Sequence, residues 1–126
     1  MSYGRKESED LHQMALFRWA ESMQHLLPDL RYMYHTPNGG HRNEREGAKF
    51  KRMGVKPGVP DICLPAPRGQ YHGLYIELKY GRNKTTASQV AYLDYLRQQG
   101  YGTAICYDWT AAAEIIVKYL KGEMRE

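Results

Sequence analysis

From residue 8 to about residue 27, Leu11, Ala15, Leu16, Trp19, Met23 and Leu26 recur at steps of three and four, the period of a helix that buries one face. Pro28, with no N–H to give and a ring that clashes with the preceding turn, ends it. Residues 31–36 carry Tyr32, Met33 and Tyr34 between two prolines and read as a strand, and 37–40 reads as a Pro-Asn-Gly-Gly turn. The segment 41–58 is polar, allows a short helix up to Met53, and is interrupted by Gly54 and Pro57-Gly58. Two apolar runs follow, 61–64 and 73–79, joined across 65–70 as a hairpin. Thr86-Ala87-Ser88-Gln89 opens a second helix whose apolar positions include Val90, Leu93 and Leu96, with Gly100 at its C-terminal cap. Residues 101–107 form a further strand, and 110–120 a last amphipathic helix ending at Gly122.

This order, α-β-(basic segment)-β-β-α-β-α without an internal repeat, predicts an α/β fold with a central sheet flanked by helices. Dividing 126 residues would leave two pieces too small for stable cores, so residues 1–126 are expected to form one domain. With 42% hydrophobic and 25% charged residues the chain lacks the composition of disorder. The polar first ten residues and the absence of any long apolar run predict a soluble protein outside the membrane. Cys63 and Cys106 have neither CxxC spacing nor a Cys/His cluster around them, which argues against zinc or a disulfide framework and for a reduced, cytoplasmic setting.

Acids beside these strands carry the candidate chemistry. Asp61 begins one apolar strand, and Glu77-Leu78-Lys79 ends the next. Side chains alternate along a strand, so Glu77 and Lys79 share a face while Leu78 points into the opposite layer. Hairpin pairing would bring Asp61 alongside Glu77. Two carboxylates that close repel unless one takes a proton or a cation lies between them. Mg²⁺ or Mn²⁺ fits, with oxygen ligands from Asp61, Glu77, the Leu78 carbonyl and water. Lys79 would then position or deprotonate a metal-activated water, or neutralise a phosphoryl group. The simpler alternatives are an Asp61 that caps a turn and a Glu77–Lys79 ion pair on an exposed strand. The apolar neighbours Ile62, Leu64, Leu74, Ile76 and Leu78 weigh against them, because an acid without a partner is costly among core strands.

The run Gly54-Val55-Lys56-Pro57-Gly58-Val59-Pro60-Asp61, the triplet Glu77-Leu78-Lys79 and Gln89 together resemble the VRR-NUC (virus-type replication-repair nuclease) group of the PD-(D/E)xK superfamily. The likeness runs from about Glu9 to Leu120, in the small stand-alone, phage-like form. It implies a restriction-endonuclease-like αβββαβ core with strands near Tyr32, Asp61, Leu74 and Thr103. It also implies that Asp61 and Glu77 hold the metal, that Lys79 acts on the nucleophile, and that Gln89 lies close by. Gln89 reads equally as the far half of a capping box with Thr86. Among the N-terminal acids Glu7, Glu9 and Asp10, the family's E-x-x-x-Q placement is best resembled by Glu9 with Gln13. The alternative is that these acids complement the helix N-terminus.

Eighteen Lys and Arg against fourteen Asp and Glu favour a polyanionic partner. Asn38, Gly39, Arg42, Arg45, Lys49, Lys51, Arg52 and Lys56 precede the aspartate and suit phosphates, as do Arg82 and Lys84 beyond the site; a solvated polar loop is the alternative. His35, His41 and His72 fit no His-centred nuclease pattern and are expected to be incidental. The resemblance implies a DNA endonuclease selective for branched or junction DNA in viral or mobile-element replication, repair or recombination. A homodimer would place two active sites together. The competing reading is a nucleic-acid-binding module of the same fold that cuts nothing.

Overall fold

In the computed structural model, which describes residues 5–37 and 44–125, the first helix, α1, spans Arg5–Met23. Leu16 and Ala20 are its buried positions, with Phe17, Trp19 and Met23 half-buried beside them. Leu11 and Leu26, expected on that face, are 48% and 64% exposed. The helix stops at Met23, earlier than expected, and the chain turns before Pro28 with Leu26 N and Leu27 N both donating to the Met23 carbonyl.

The expected strand at 31–36 is largely absent. Pro28–Tyr32 is a 3₁₀ turn: proline is at home where no N–H is required, and Leu30 alone carries the burial. Only Tyr34–His35 (β1) joins the sheet. The polar middle contains a regular helix, α2, at Glu44–Arg52.

Three further strands complete the sheet: β2 (Ile62–Leu64), β3 (Leu74–Leu78) and β4 (Gly102–Cys106). Their order is β1-β2-β3-β4, with the first two pairings antiparallel and β3–β4 parallel. A parallel pair needs a crossover, and α3 (Ala87–Gln98) supplies it. This helix opens on the expected capping box and has Gly100 one residue past its C-cap; Leu93 and Leu96 are buried, whereas Val90 is exposed. The last helix, α4 (Trp109–Leu120), is capped by Asp108, whose Oδ1 accepts from Ala111 N at 2.7 Å. The architecture is the αβββαβ order with α2 inserted and α4 appended.

Strand alternation divides the sheet into two chemically different faces. Ile62, Leu64, Leu74, Ile76, Leu78 and Cys106 join Leu16, Ala20, Ile116 and Tyr119 in the main core beneath α1 and α4. Each fully buried aliphatic side chain there contributes roughly 1.5–3 kcal/mol. The Tyr119 hydroxyl is satisfied by donating to Ala66 O at 2.6 Å. The opposite face carries Cys63, Tyr75, Glu77 and Lys79 and meets α3. Both cysteines are free and buried.

The lead-in to β2 is held against the start of α3 at one point. Gly58 has φ +82°, and a Cβ there would lie 2.4 Å from Ser88 O and 2.9 Å from Gln89 N. Neither the backbone angle nor the close approach admits a side chain. Gly58→Ala should therefore lower stability by about 1–3 kcal/mol, read as a lower urea midpoint at constant m. Gly54, at φ +97° but with no neighbour within 4 Å, is the control: Gly54→Ala should lose only the conformational part. Equal losses would deny the close approach any role.

Candidate active site

The antiparallel pairing ends at Ile62 opposite Ile76, and Asp61 and Glu77 are the next residues outward on the two chains. Asp61 is tied to both flanking strands. Its Oδ2 accepts from Leu78 N at 2.9 Å, and its carbonyl accepts from Thr36 N at 2.8 Å and lies 2.9 Å from His35 Nδ1. Glu77 and Lys79 leave β3 on one face and are only 3% and 7% exposed, the two charged side chains buried among the described residues.

Gln89, from the first turn of α3, joins them. Its Nε2 donates to Glu77 Oε2 at 3.2 Å, while its Oε1 accepts from Lys79 Nζ at 2.7 Å and from Thr86 N at 2.9 Å. The capping box is closed by Gln89 N donating to Thr86 Oγ1 at 3.2 Å. The cap and the bond to the acidic site, alternatives from the sequence, are made by one side chain at once.

Glu77 Oε2 thus has Gln89 and, at 3.5 Å, Lys79 Nζ as partners; Glu77 Oε1 is buried and, with both acids ionised, has no hydrogen-bond donor among the described residues. An acceptor left so costs on the order of 1–3 kcal/mol, more when charged. Burial, then the charge of Asp61 and hydrogen bonding with it, push the Glu77 carboxyl up to about 8 against the opposing pull of Lys79. The pair can hold a proton or a cation, but two bare negative charges are strongly disfavoured.

Glu9 is half-buried on α1 and accepts from Asn83 Nδ2 at 3.3 Å. Burial raises its carboxyl pKa; the Asn83 hydrogen bond and Lys79 lower it, and Asp61 raises it. It therefore lies within electrostatic reach of both Asp61 and Lys79. Asp10 is exposed, and the side chain of Glu7 is outside the described residues. No three His, Cys, Asp or Glu side chains among the described residues form a group that could hold a metal ion. The donors that suit a hard cation are two carboxylates, Asp61 and the Oε1 side of Glu77, with the Leu78 carbonyl next along β3; Glu9 stands outside this pair.

Of the basic residues, Arg45, Lys49 and Arg52 fall at i, i+4 and i+7 on α2 and share one exposed side, with Lys51 and Lys56 also exposed. Asn38, Gly39 and Arg42 lie outside the described residues, as does His41. Arg82 and Lys84 are exposed beyond β3. His72 packs edge-on against Tyr101. His35, expected to be incidental, meets the backbone of Asp61. Asn83 is not singled out by the sequence, since no spacing rule links it to a residue 74 positions earlier.

The VRR-NUC domain family model matches residues 7–109. A solved structure of a VRR_NUC domain protein is similar to this chain with a TM-score of 0.76 and 31% identity, over 90% of this chain and 88% of that one. No curated protein matches.

Glu77 carries a carboxyl whose folded-state value of about 8 stands above its ordinary 4.5. Between those values the folded state binds more protons than the unfolded, so stability is fully present below about pH 4.5 and falls as pH rises through 8. Urea denaturation in EDTA should show this decline, with a slope of at most about 1.4 kcal/mol per pH unit, and Glu77→Gln should flatten it. An unchanged slope in the variant would place the titration elsewhere.

Proposed function

The chain belongs to the VRR-NUC family of nuclease-type domains, and we propose that it is a divalent-metal-dependent DNA endonuclease acting through Asp61, Glu77 and Lys79. The observation that carries this reading is the buried acid pair with its partnerless Glu77 Oε1, set beside a buried lysine. A binding module that cuts nothing has no use for two acids facing a polyanion.

Asp61, Glu77 and the Leu78 carbonyl would hold Mg²⁺ or Mn²⁺, with Glu9 as a further acid. When bound, such an ion lowers the pKa of a water ligand and stabilises charge developing on a phosphoryl group. The protein's own residues supply position. Asp61 is fixed by its bond to Leu78 N, which leaves Oδ1 outside that bond. Lys79 Nζ spends one N–H on Gln89 Oε1 and has Glu77 Oε2 at 3.5 Å, leaving a proton to offer an oxygen of the scissile phosphate. Gln89 keeps that ammonium and the Glu77 carboxylate in fixed relation, so little reorganisation is needed when negative charge develops.

The exposed cations on α2 are suited to neutralising phosphates without reading bases, which supports a substrate chosen by shape: branched or junction DNA, in replication, repair or recombination of a virus or mobile element. Two free, buried cysteines support a reducing, cytoplasmic setting. Among the described residues no helix is long and apolar enough to cross a membrane. A homodimer would bring two such sites to one branched substrate.

With supercoiled, linear and four-way-junction DNA, the protein should cut in Mg²⁺ or Mn²⁺ and not in EDTA. Asp61→Ala and Glu77→Ala should abolish measurable cutting, and Lys79→Ala should lower kcat by about 10²–10³. No cutting with either metal, or acid variants as active as the parent, would favour the binding module. Replacing Arg45, Lys49 and Arg52 by alanine should weaken DNA binding and reduce the dependence of log K on log salt by about 0.9 for each phosphate no longer neutralised. A slope unchanged in the triple variant would remove α2 from the DNA surface.

A further inference from the structure

The loop 80–85 follows the catalytic strand directly and is tied back to α1 at two points. Asn83 Nδ2 donates to Glu9 Oε2 at 3.3 Å, and the Tyr80 ring stands 5.6 Å from that of His12, tilted by 44°. Glu9 and His12 are three residues apart, one helical turn, so both contacts arise from the same side of α1. His12 is itself fixed: its Nδ1 accepts from Trp109 N at 3.2 Å, at the start of α4. The loop is tight, with Asn83 N donating to Tyr80 O at 3.2 Å around Gly81 at φ +63°. Lys79 and Glu9 are thereby connected through a short turn of the chain and one side-chain amide.

A long, flexible glutamate near the start of a helix does not hold a carboxylate in place by itself. Asn83 supplies the fixed point. It is half-buried, and its backbone is committed to the turn. Its amide bonds one carboxylate oxygen and leaves the other outside that bond. A partner of that kind orients an acid without competing for both its oxygens. Hydrogen bonds reaching out from a metal-binding acid fix its direction, and their loss weakens metal binding even though the ligand itself remains.

We infer that Asn83 is a positioning residue that holds the Glu9 carboxylate beside the loop that follows Lys79, where its charge strengthens the binding of a divalent cation at the Asp61–Glu77 pair. The inference rests on the metal-binding reading proposed above. Asn83 touches neither the scissile phosphate nor the ion; it acts through Glu9. His12 and Tyr80 set the distance between α1 and the loop across which the bond is made.

The test is Mn²⁺ affinity by calorimetry at fixed pH, with the thermal midpoint in EDTA recorded separately. Asn83→Leu should weaken Mn²⁺ binding about tenfold while moving the EDTA midpoint by only a few degrees. The smaller Asn83→Ala should behave alike if the leucine does not fit, and Asn83→Gln, which keeps the amide donor, should recover part of the loss. In a Glu9→Gln background, Asn83→Leu should cost nothing further, because the two residues act as one unit. A loop anchor of purely structural effect would lower the EDTA midpoint, leave Mn²⁺ affinity within about twofold of the parent, or give losses that add in the double variant; any of these overturns the role of Asn83. Failure of the underlying reading looks different: the parent would bind no Mn²⁺ that Asp61→Ala removes, and the inference would fall with it.

Discussion

The closeness of Asp61 and Glu77 is the constraint around which the rest of the site is arranged. It follows from the β2–β3 register, which core packing on the other face fixes: a one-residue slip would turn Ile62, Leu64, Leu74 and Ile76 out of the interior. The apolar face therefore holds two like charges together that would separate if free. Neighbouring groups then answer the charge. Leu78 N bonds Asp61, Gln89 bonds Glu77, and Lys79 lies buried between the acid and the amide.

Gln89 couples this site to an element distant in sequence. Its position depends on the capping box, the capping box on where α3 begins, and the start of α3 on the segment beneath it, where Gly58 lies against Ser88 and Gln89 backbone atoms. The glycine- and proline-rich lead-in thus does two things. It delivers Asp61 to the start of β2 and supports the helix end that orients Glu77 and Lys79. A side chain at Gly58 would disturb both the acid pair's delivery and its hydrogen-bonding partner.

Where the sequence speaks clearly, local rules and packing agree. The β2–β3 hairpin, the Thr86–Gln89 box and the Gly100 cap each have a short-range signal that the tertiary structure keeps. Residues 31–36 are harder: their aromatic content suggests a strand, but Pro28 and the burial of Leu30 favour a 3₁₀ turn over Pro28–Tyr32, leaving only Tyr34 and His35 to pair. Leu11 and Leu26 lie exposed against expectation because an apolar period does not say which apolar residue meets the core. Of the site, Asp61, Glu77 and Lys79 come together as strand pairing and alternation implied, Gln89 joins them as the family resemblance implied, and Glu9 reaches their neighbourhood. His35 and Asn83 leave no trace in the sequence, since each acts through a bond made only by folding.

Charge arithmetic decides between the two ways of relieving the acid pair. Asp61 and Glu77 with Lys79 leave one formal negative charge; with Glu9, two remain. A single proton on Glu77 cancels one of these and lets the carboxyl bond to Asp61, in keeping with a carboxyl pushed up first by burial and then by the charge and hydrogen bonding of Asp61. A divalent cation cancels both. On the metal-binding reading it would also take lone pairs from both Asp61 and Glu77 while answering the charge of Glu9 nearby. Proton and cation would then compete for one position, and the cation's advantage would grow with pH as the proton is released. On this reading the burial that makes Glu77 a poor anion in isolation is what makes the complete site a ready host for a doubly charged ion.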